Sequence, residues 1–306
     1  MARPPPPASF TSAASVRPLA ERLAAALPPL LVEAERVAAT VAQGVHGRRR
    51  VGPGESFWQF RRYQSGDAVS LIDWRQSAKS RHNFIRENEW EAAESVWLWC
   101  DSSPSMVYRS SFGPCEKRDR ARVLVLALAS LLVRAGERIA LMERSEPPAS
   151  GRIALERLGE RLLDPPSEPA SLPPNRPLPR DATIVLVSDF LEPLDATGPR
   201  LAALAAQGVR GHLLQVLDPA EEDLPFKGRT LFEGLESPLR LKVGRAEDLQ
   251  AGYRAALAAH RAALSDECRR LGWTFATHRT DRPPQSALLA LYEALAPARN
   301  HAARVY

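Results

Sequence analysis

Cysteine, lysine and long apolar runs are all scarce in this chain of 306 residues. The three cysteines, Cys100, Cys115 and Cys268, are odd in number and lack metal-knuckle spacing, which argues against a disulfide framework. The longest apolar run, Val123 to Val133, falls well short of the roughly 20 residues that a membrane-spanning helix needs. It reads instead as a buried helix, and no membrane span is expected. The start, Met1-Ala2-Arg3 followed by four prolines, lacks the apolar core of a signal peptide, so a cytoplasmic location is the expectation. Only four of the 41 basic residues are lysine, and the net charge of +5 is too mild to argue by itself for nucleic acid. Several enzyme signatures are missing as well: a G-x-S-x-G elbow, a G-x-x-x-x-G-K-[ST] loop, a G-x-G-x-x-G fingerprint and an H-E-x-x-H helix.

The composition that remains, 44% hydrophobic and 25% charged, is that of an ordinary globular protein. Five apolar residues, Val96-Trp97-Leu98-Trp99-Cys100, run without polar alternation, the pattern of a strand buried on both faces of a parallel sheet. Cys100 reads as a small core residue. The strand delivers Asp101-Ser102-Ser103-Pro104-Ser105-Met106 to its carboxyl end, where open α/β sheets bind ligands. A D-x-S-x-S loop gathers one carboxylate and two hydroxyls, from Asp101, Ser103 and Ser105, and such hard oxygens suit a divalent cation, magnesium first. The plainer alternative is a capped loop, since Asp and Ser are also the usual turn and N-cap residues.

Taken in order, residues 1–45 read as a Pro/Ala/Arg-rich start, disordered to about residue 17, followed by an amphipathic helix. Its apolar positions recur at helical spacing between Leu19 and Val41, interrupted at Pro28-Pro29. Arg48-Arg49-Arg50 reads as a solvated basic loop ahead of a nucleic-acid patch. Residues 46–94, with short aromatic runs and glycine turns, read as a small β-rich module whose core is Trp58, Phe60, Tyr63 and Trp74. Its candidate binding residues are Asp67, Asp73, Trp74 and Arg75. Structural roles compete with binding: a turn for Asp67, a core position for Trp74, and for Asp73, which would share a strand face with Arg75, pairing with Arg61, Arg62 or Lys79 across it. Residues 95–306 read as one α/β domain with strands near 95–101, 138–143, 183–188, 209–217 and 273–277 and helices between them. A hairpin insertion is expected near 228–243, around Gly234. This is the pattern of a doubly wound, mostly parallel sheet. The buried strand Thr183 to Val187 ends in Ser188-Asp189-Phe190, a second carboxylate at a strand's carboxyl end.

The order Gly52-x-Gly54-x-x-Phe57, Arg61-x-Tyr63-x-x-Gly66-Asp67, Ile72-Asp73-Trp74-Arg75-x-Ser77-Ala78-Lys79, then a strand ending Asp101-x-Ser103-x-Ser105-Met106, resembles the family catalogued as domain of unknown function fifty-eight. Members of that family carry a von Willebrand factor A-like, Rossmann-like domain, and the resemblance covers nearly everything after residue 45. It implies a metal-ion-dependent adhesion site in which Asp189 adds an oxygen to Asp101, Ser103 and Ser105. It also implies a non-enzymatic adaptor that works with a MoxR-type AAA+ ATPase. The family site further uses a threonine between the two strands, and no threonine lies from residue 141 to 180, leaving Ser145, Ser150, Ser167, Ser171 or water to stand in. The resemblance gives no catalytic role to the module at 46–94. Two other functions compete: a metal-dependent phosphoester hydrolase with Asp101 as nucleophile, and an Arg-rich nucleic-acid binder. Against the hydrolase, Ser103 stands where haloacid dehalogenase-like phosphatases need a second carboxylate.

Overall fold

A computed structural model of the chain describes residues 29–42, 57–63, 72–79, 82–88, 95–164 and 168–295. Arg48–Arg50 and Asp67 lie outside them. At the centre is a five-stranded sheet of β3 (Ser95–Cys100), β4 (Arg138–Leu141), β5 (Thr183–Ser188), β6 (Arg210–Leu217) and β9 (Thr274–Arg279). The spatial order is β4-β3-β5-β6-β9, and every neighbouring pair runs parallel. Trp97 to Cys100 pair directly with Ile184 to Val187, so the two buried strands anticipated from the sequence are neighbours.

The uninterrupted apolar runs have a simple cause. Along β3, Val96, Leu98 and Cys100 enter one hydrophobic cluster while Trp97 and Trp99 enter another on the opposite face. Val185 and Val187 likewise separate from Ile184 and Leu186 along β5. With both faces covered there is no solvent side for a polar residue to occupy. The first cluster takes in α3 (Lys117–Arg134), α4 (Arg152–Leu163), α8 (Pro284–Leu295) and the helix at 29–42, here α1, through Ala34, Val37, Ala38 and Val41. The second takes in α5 (Leu194–Ala205) and α7 (Gln250–Arg270), through Leu201, Leu204, Leu264 and Cys268. α3 owns the run Val123 to Val133, and its residues from Val123 to Leu132 are all buried. Among the described residues, no helix is long and apolar enough to cross a membrane.

Close packing on the second face depends on Gly211, in β6. A Cβ at this position would lie 2.0 Å from the buried Trp273 ring, whose Nε1–H donates to the Val209 carbonyl at 3.2 Å. Gly211→Ala is therefore expected to destabilise the protein by about 1–3 kcal/mol, the usual cost of overpacking. A denaturation midpoint equal to the wild type's would contradict this packing.

Ahead of the sheet, β1 (Phe57–Arg62) and β2 (Phe84–Asn88) form an antiparallel ribbon with a register shift near Phe57. Between them the sequence reading needs correction. Trp74–Ser77 is one helical turn, α2, and not a strand. The Asp73 carbonyl accepts both the Ser77 amide (2.9 Å) and the Ser77 hydroxyl (2.7 Å), which starts a helix where an extended chain was expected. Trp74 is 62% exposed, so it is not part of a core. Short aromatic runs between glycine turns favour strands, but here the local side-chain to backbone bond overrides that preference.

A 3-10 turn, Ala246–Leu249, leads directly into α7. α6 (Pro219–Asp223) is a short helix after β6. The insertion forms a second ribbon, β7 (Thr230–Glu233) with antiparallel β8 (Arg240–Val243), turning near Gly234. The Pro-rich loop before β5 is tied down by polar contacts: Arg200 donates to the Pro173 carbonyl (2.8 Å), Gln207 bridges Arg176 and Leu178, and Arg176 stacks 4.7 Å from Trp97.

Candidate functional site

The order β4-β3-β5 places the reversal of the chain between β3 and β5, whose carboxyl ends carry Asp101 and Asp189. Such a reversal opens a crevice at the strand ends. The structure brings all four residues of the expected site into one hydrogen-bonded chain. Ser103 Oγ lies 3.0 Å from Ser105 Oγ, and Ser105 Oγ donates to Asp189 Oδ2 at 2.6 Å. Asp101 is 1% exposed, and both its oxygens are engaged: Oδ1 accepts the Ser103 amide (2.8 Å) and Oδ2 the Ser188 hydroxyl (2.6 Å). Phe190 follows Asp189 with φ 45°, a left-handed conformation uncommon outside glycine. It is held there by His260 on its carbonyl (2.6 Å) and by Gln215 on the Asp189 carbonyl (2.8 Å).

A buried cation closes this chain at its Asp189 end. Lys117, the first residue of α3, is 0% exposed and places Nζ 2.8 Å from Asp189 Oδ2 and 2.5 Å from Glu221 Oε1. A cation in the first turn opposes the helix macrodipole, and burial adds a desolvation cost, so the position requires compensation. Asp189 comes from the end of β5 and Glu221 from α6. Burial alone would favour the neutral amine, but the two carboxylates more than offset it and raise the Lys117 pKa. Burial pushes the Glu221 carboxyl up, opposed by the Lys117 ammonium and the Asp218 amide that bind its charged form. Glu221 is fixed by a capping box with Asp218, whose carboxylate also accepts the Ser110 hydroxyl and amide. A Cβ on Gly113 would fall 2.4 Å from that Asp218 carboxylate, so the loop from Ser110 closes on it only with glycine there.

Magnesium does not fit this donor set. The ammonium of Lys117 already sits on the Asp189 oxygen that Ser105 binds. Two unit charges 4 Å apart repel by about 4 kcal/mol at an effective dielectric near 20, and a divalent ion doubles that. The serines proposed to replace threonine do not complete a shell. Ser145 and Ser150 are exposed in the loop that folds back on β4, and Ser167 lies outside the described residues. Ser171 does approach, because Ala170 pairs with Ser102, but its hydroxyl donates to Glu192 at 2.8 Å. Among the described residues, no group of three or more His, Cys, Asp and Glu side chains is arranged to hold a metal ion.

Asp73, Trp74 and Arg75 are positioned by α2 and β2 instead; the Asp73 amide donates to the Phe84 carbonyl at 2.8 Å. The hairpin, by contrast, reaches the site. Glu236, between β7 and β8, accepts the Ser105 amide at 3.4 Å. Large apolar side chains stand exposed on the same loops: Val107 and Phe112 after the Asp101 loop, Leu191 after Asp189, and Leu235 and Leu239 flanking the hairpin turn.

Burial, against the hydrogen bonds of Ser103 and Ser188, raises the Asp101 pKa from 3.8 to about 6. The folded protein thus keeps a proton on Asp101 at pH values where the unfolded chain has lost it. Stability relative to Asp101→Asn, which cannot ionise, should fall as pH rises from about 4 to 6. About two pKa units at 1.36 kcal/mol each give a loss of about 3 kcal/mol. Urea unfolding of both proteins at pH 4.5, 5.5 and 7 checks this; a constant difference would show that Asp101 does not titrate in this range.

The model of the family described as "Protein of unknown function DUF58" matches residues 59–263. The chain belongs to this family. It is 30% identical over 277 residues to the uncharacterized protein Rv1480 of Mycobacterium tuberculosis and, equally, to the uncharacterized protein Mb1516 of Mycobacterium bovis, covering 85% of this chain and 86% of each relative. Two solved structures are also similar. The conserved hypothetical protein BatB from Bacteroides thetaiotaomicron aligns with TM-score 0.38 at 14% identity, over 66% of this chain and 97% of that one. An aerotolerance-related membrane protein from Bacteroides fragilis aligns with TM-score 0.41 at 15% identity, over 66% of this chain and 98% of that one.

Proposed function

We propose that this DUF58 protein is a non-enzymatic, protein-binding adaptor whose working surface is the carboxyl edge of a von Willebrand factor A-like domain. The observation that carries the reading is the contrast at that edge between buried charge and exposed apolar side chains. Asp101, Ser103 and Lys117 are sequestered and paired, whereas Val107, Phe112, Leu191, Leu235 and Leu239 face solvent from the loops around them. Exposed apolar side chains gathered on one edge favour association with another protein. The partner we propose, from the family resemblance, is a MoxR-type AAA+ ATPase, met in the cytoplasm.

Hydrolysis is the weaker reading. An attacking Asp101 would need a free, accessible oxygen, and both of its oxygens are engaged and buried. Ser105 donates to Asp189 Oδ2, a carboxylate oxygen already occupied by the Lys117 ammonium, and a lysine whose pKa is raised stays protonated and cannot itself serve as the base. Cavities of about 420 Å³ beside Leu194 and Glu267, and of about 210 Å³ beside Arg261 and Arg279, are not lined by Asp101, Ser103 or Ser105.

The test has two arms. Purified protein is expected to turn over neither nucleotides nor phosphate monoesters, and to capture the MoxR-type ATPase of the same organism in a purified pull-down. Turnover that survives repurification and disappears in Asp101→Asn would overturn the first part. Failure to capture the ATPase, with nucleotide and without, would overturn the second.

A further inference from the structure

We infer that Lys117 is the resident cation of the D-x-S-x-S site, so that the loop is organised by a covalently attached ammonium in place of an exchangeable divalent ion. The inference concerns the same edge as the proposed interface, but it does not require that interface to exist.

Three observations support it. First, Lys117 Nζ and Ser105 Oγ both bind Asp189 Oδ2, so the ammonium stands at the end of the chain Ser103, Ser105, Asp189. Its donors set the polarity of that chain, because a carboxylate oxygen fixed by an ammonium is left to accept, and Ser105 donates to it. Second, the cation draws on separate parts of the fold. Asp189 follows β5, Glu221 belongs to α6 after β6, and Lys117 begins α3, so one ammonium ties together three connections at the sheet's carboxyl edge. A bound metal does the same for loops that would otherwise separate. Third, the side chain is enclosed. Nζ lies 5.9 Å above the Tyr108 ring, the Lys117 amide donates to the Tyr108 carbonyl at 3.1 Å, and the Tyr253 hydroxyl holds the Glu221 carbonyl at 2.5 Å. Lysine suits the place better than arginine, since a compact ammonium can approach two carboxylates from different elements where a planar guanidinium favours one bidentate partner.

The experiment uses the full chain alone, freed of metal with a chelator, and compares melting temperatures in chelator and in magnesium chloride or manganese chloride, with calorimetric titration of the same ions. The wild type is expected to melt at the same temperature in all of them and to give no saturable binding heat. Lys117→Met is expected to melt well below the wild type under the same conditions. A metal-dependent rise in the wild-type melting temperature that Asp189→Asn removes would overturn the inference. So would a Lys117→Met protein that melts with the wild type. Should Lys117→Met fail to fold, that is the loss expected, and the wild-type titration still decides.

Discussion

Lys117→Met is expected to lower the stability of the protein by about 3–5 kcal/mol, the range found when one partner of a buried ion pair is removed. Methionine fills the same space, so the loss is electrostatic. Asp189 and Glu221, now 2.8 and 2.5 Å from the ammonium, would keep their burial and lose their countercharge. With a total stability of about 5–15 kcal/mol for a typical domain, this leaves little reserve. The denaturant midpoint should fall without a change in slope. Adding Asp189→Asn and Glu221→Gln to Lys117→Met should recover part of the loss, because a neutral set no longer carries uncompensated charge. A triple variant less stable than Lys117→Met would show that the carboxylates stabilise the fold by other means.

The second large effect concerns binding rather than folding. The pair Leu235→Asp and Leu239→Asp is expected to weaken capture of the MoxR-type ATPase at least tenfold, about 1.4 kcal/mol or more. Leu239 is 75% exposed, and surface changes of this kind shift stability by only about ±0.5 kcal/mol, so the melting temperature should hold. Ile153→Asp, on the exposed side of α4, is the control and should bind as the wild type does. Equal affinity in all three proteins would remove the hairpin from the interface.

The sheet was largely legible in the sequence, and for one physical reason. Strands covered on both faces cannot alternate, so Val96 to Cys100 and Ile184 to Val187 stood out as unbroken apolar runs, and the longer run Val123 to Val133 stood out as a buried helix between them. The neighbourhood of Asp101 and Asp189 followed from the same rule, since both terminate buried strands. Lys117 was not legible by motif, because its partners lie 72 and 104 residues away. Two signals pointed to it. Lysine is rare in this chain, and this one opens a helix, where cations are disfavoured. Asp218 and Glu221 could have been recognised as a capping box from the D-x-x-E spacing. Trp74 misled because an aromatic in a short polar stretch was assigned to a core, whereas the Asp73 carbonyl and Ser77 wind the chain into a turn that leaves the ring outside. That the hairpin around Gly234 would lean over Ser105 had no sequence signal; it follows only from where β6 ends and α7 begins.

The most direct measurement is hydrogen–deuterium exchange of the full chain with and without the purified MoxR-type ATPase. Protection is expected in residues 101–113, 189–194 and 229–243, the loops that carry the buried network and the exposed apolar side chains. Protection confined to the β1–β2 ribbon and α2, with those three loops unchanged, would contradict an interface at the carboxyl edge of the sheet.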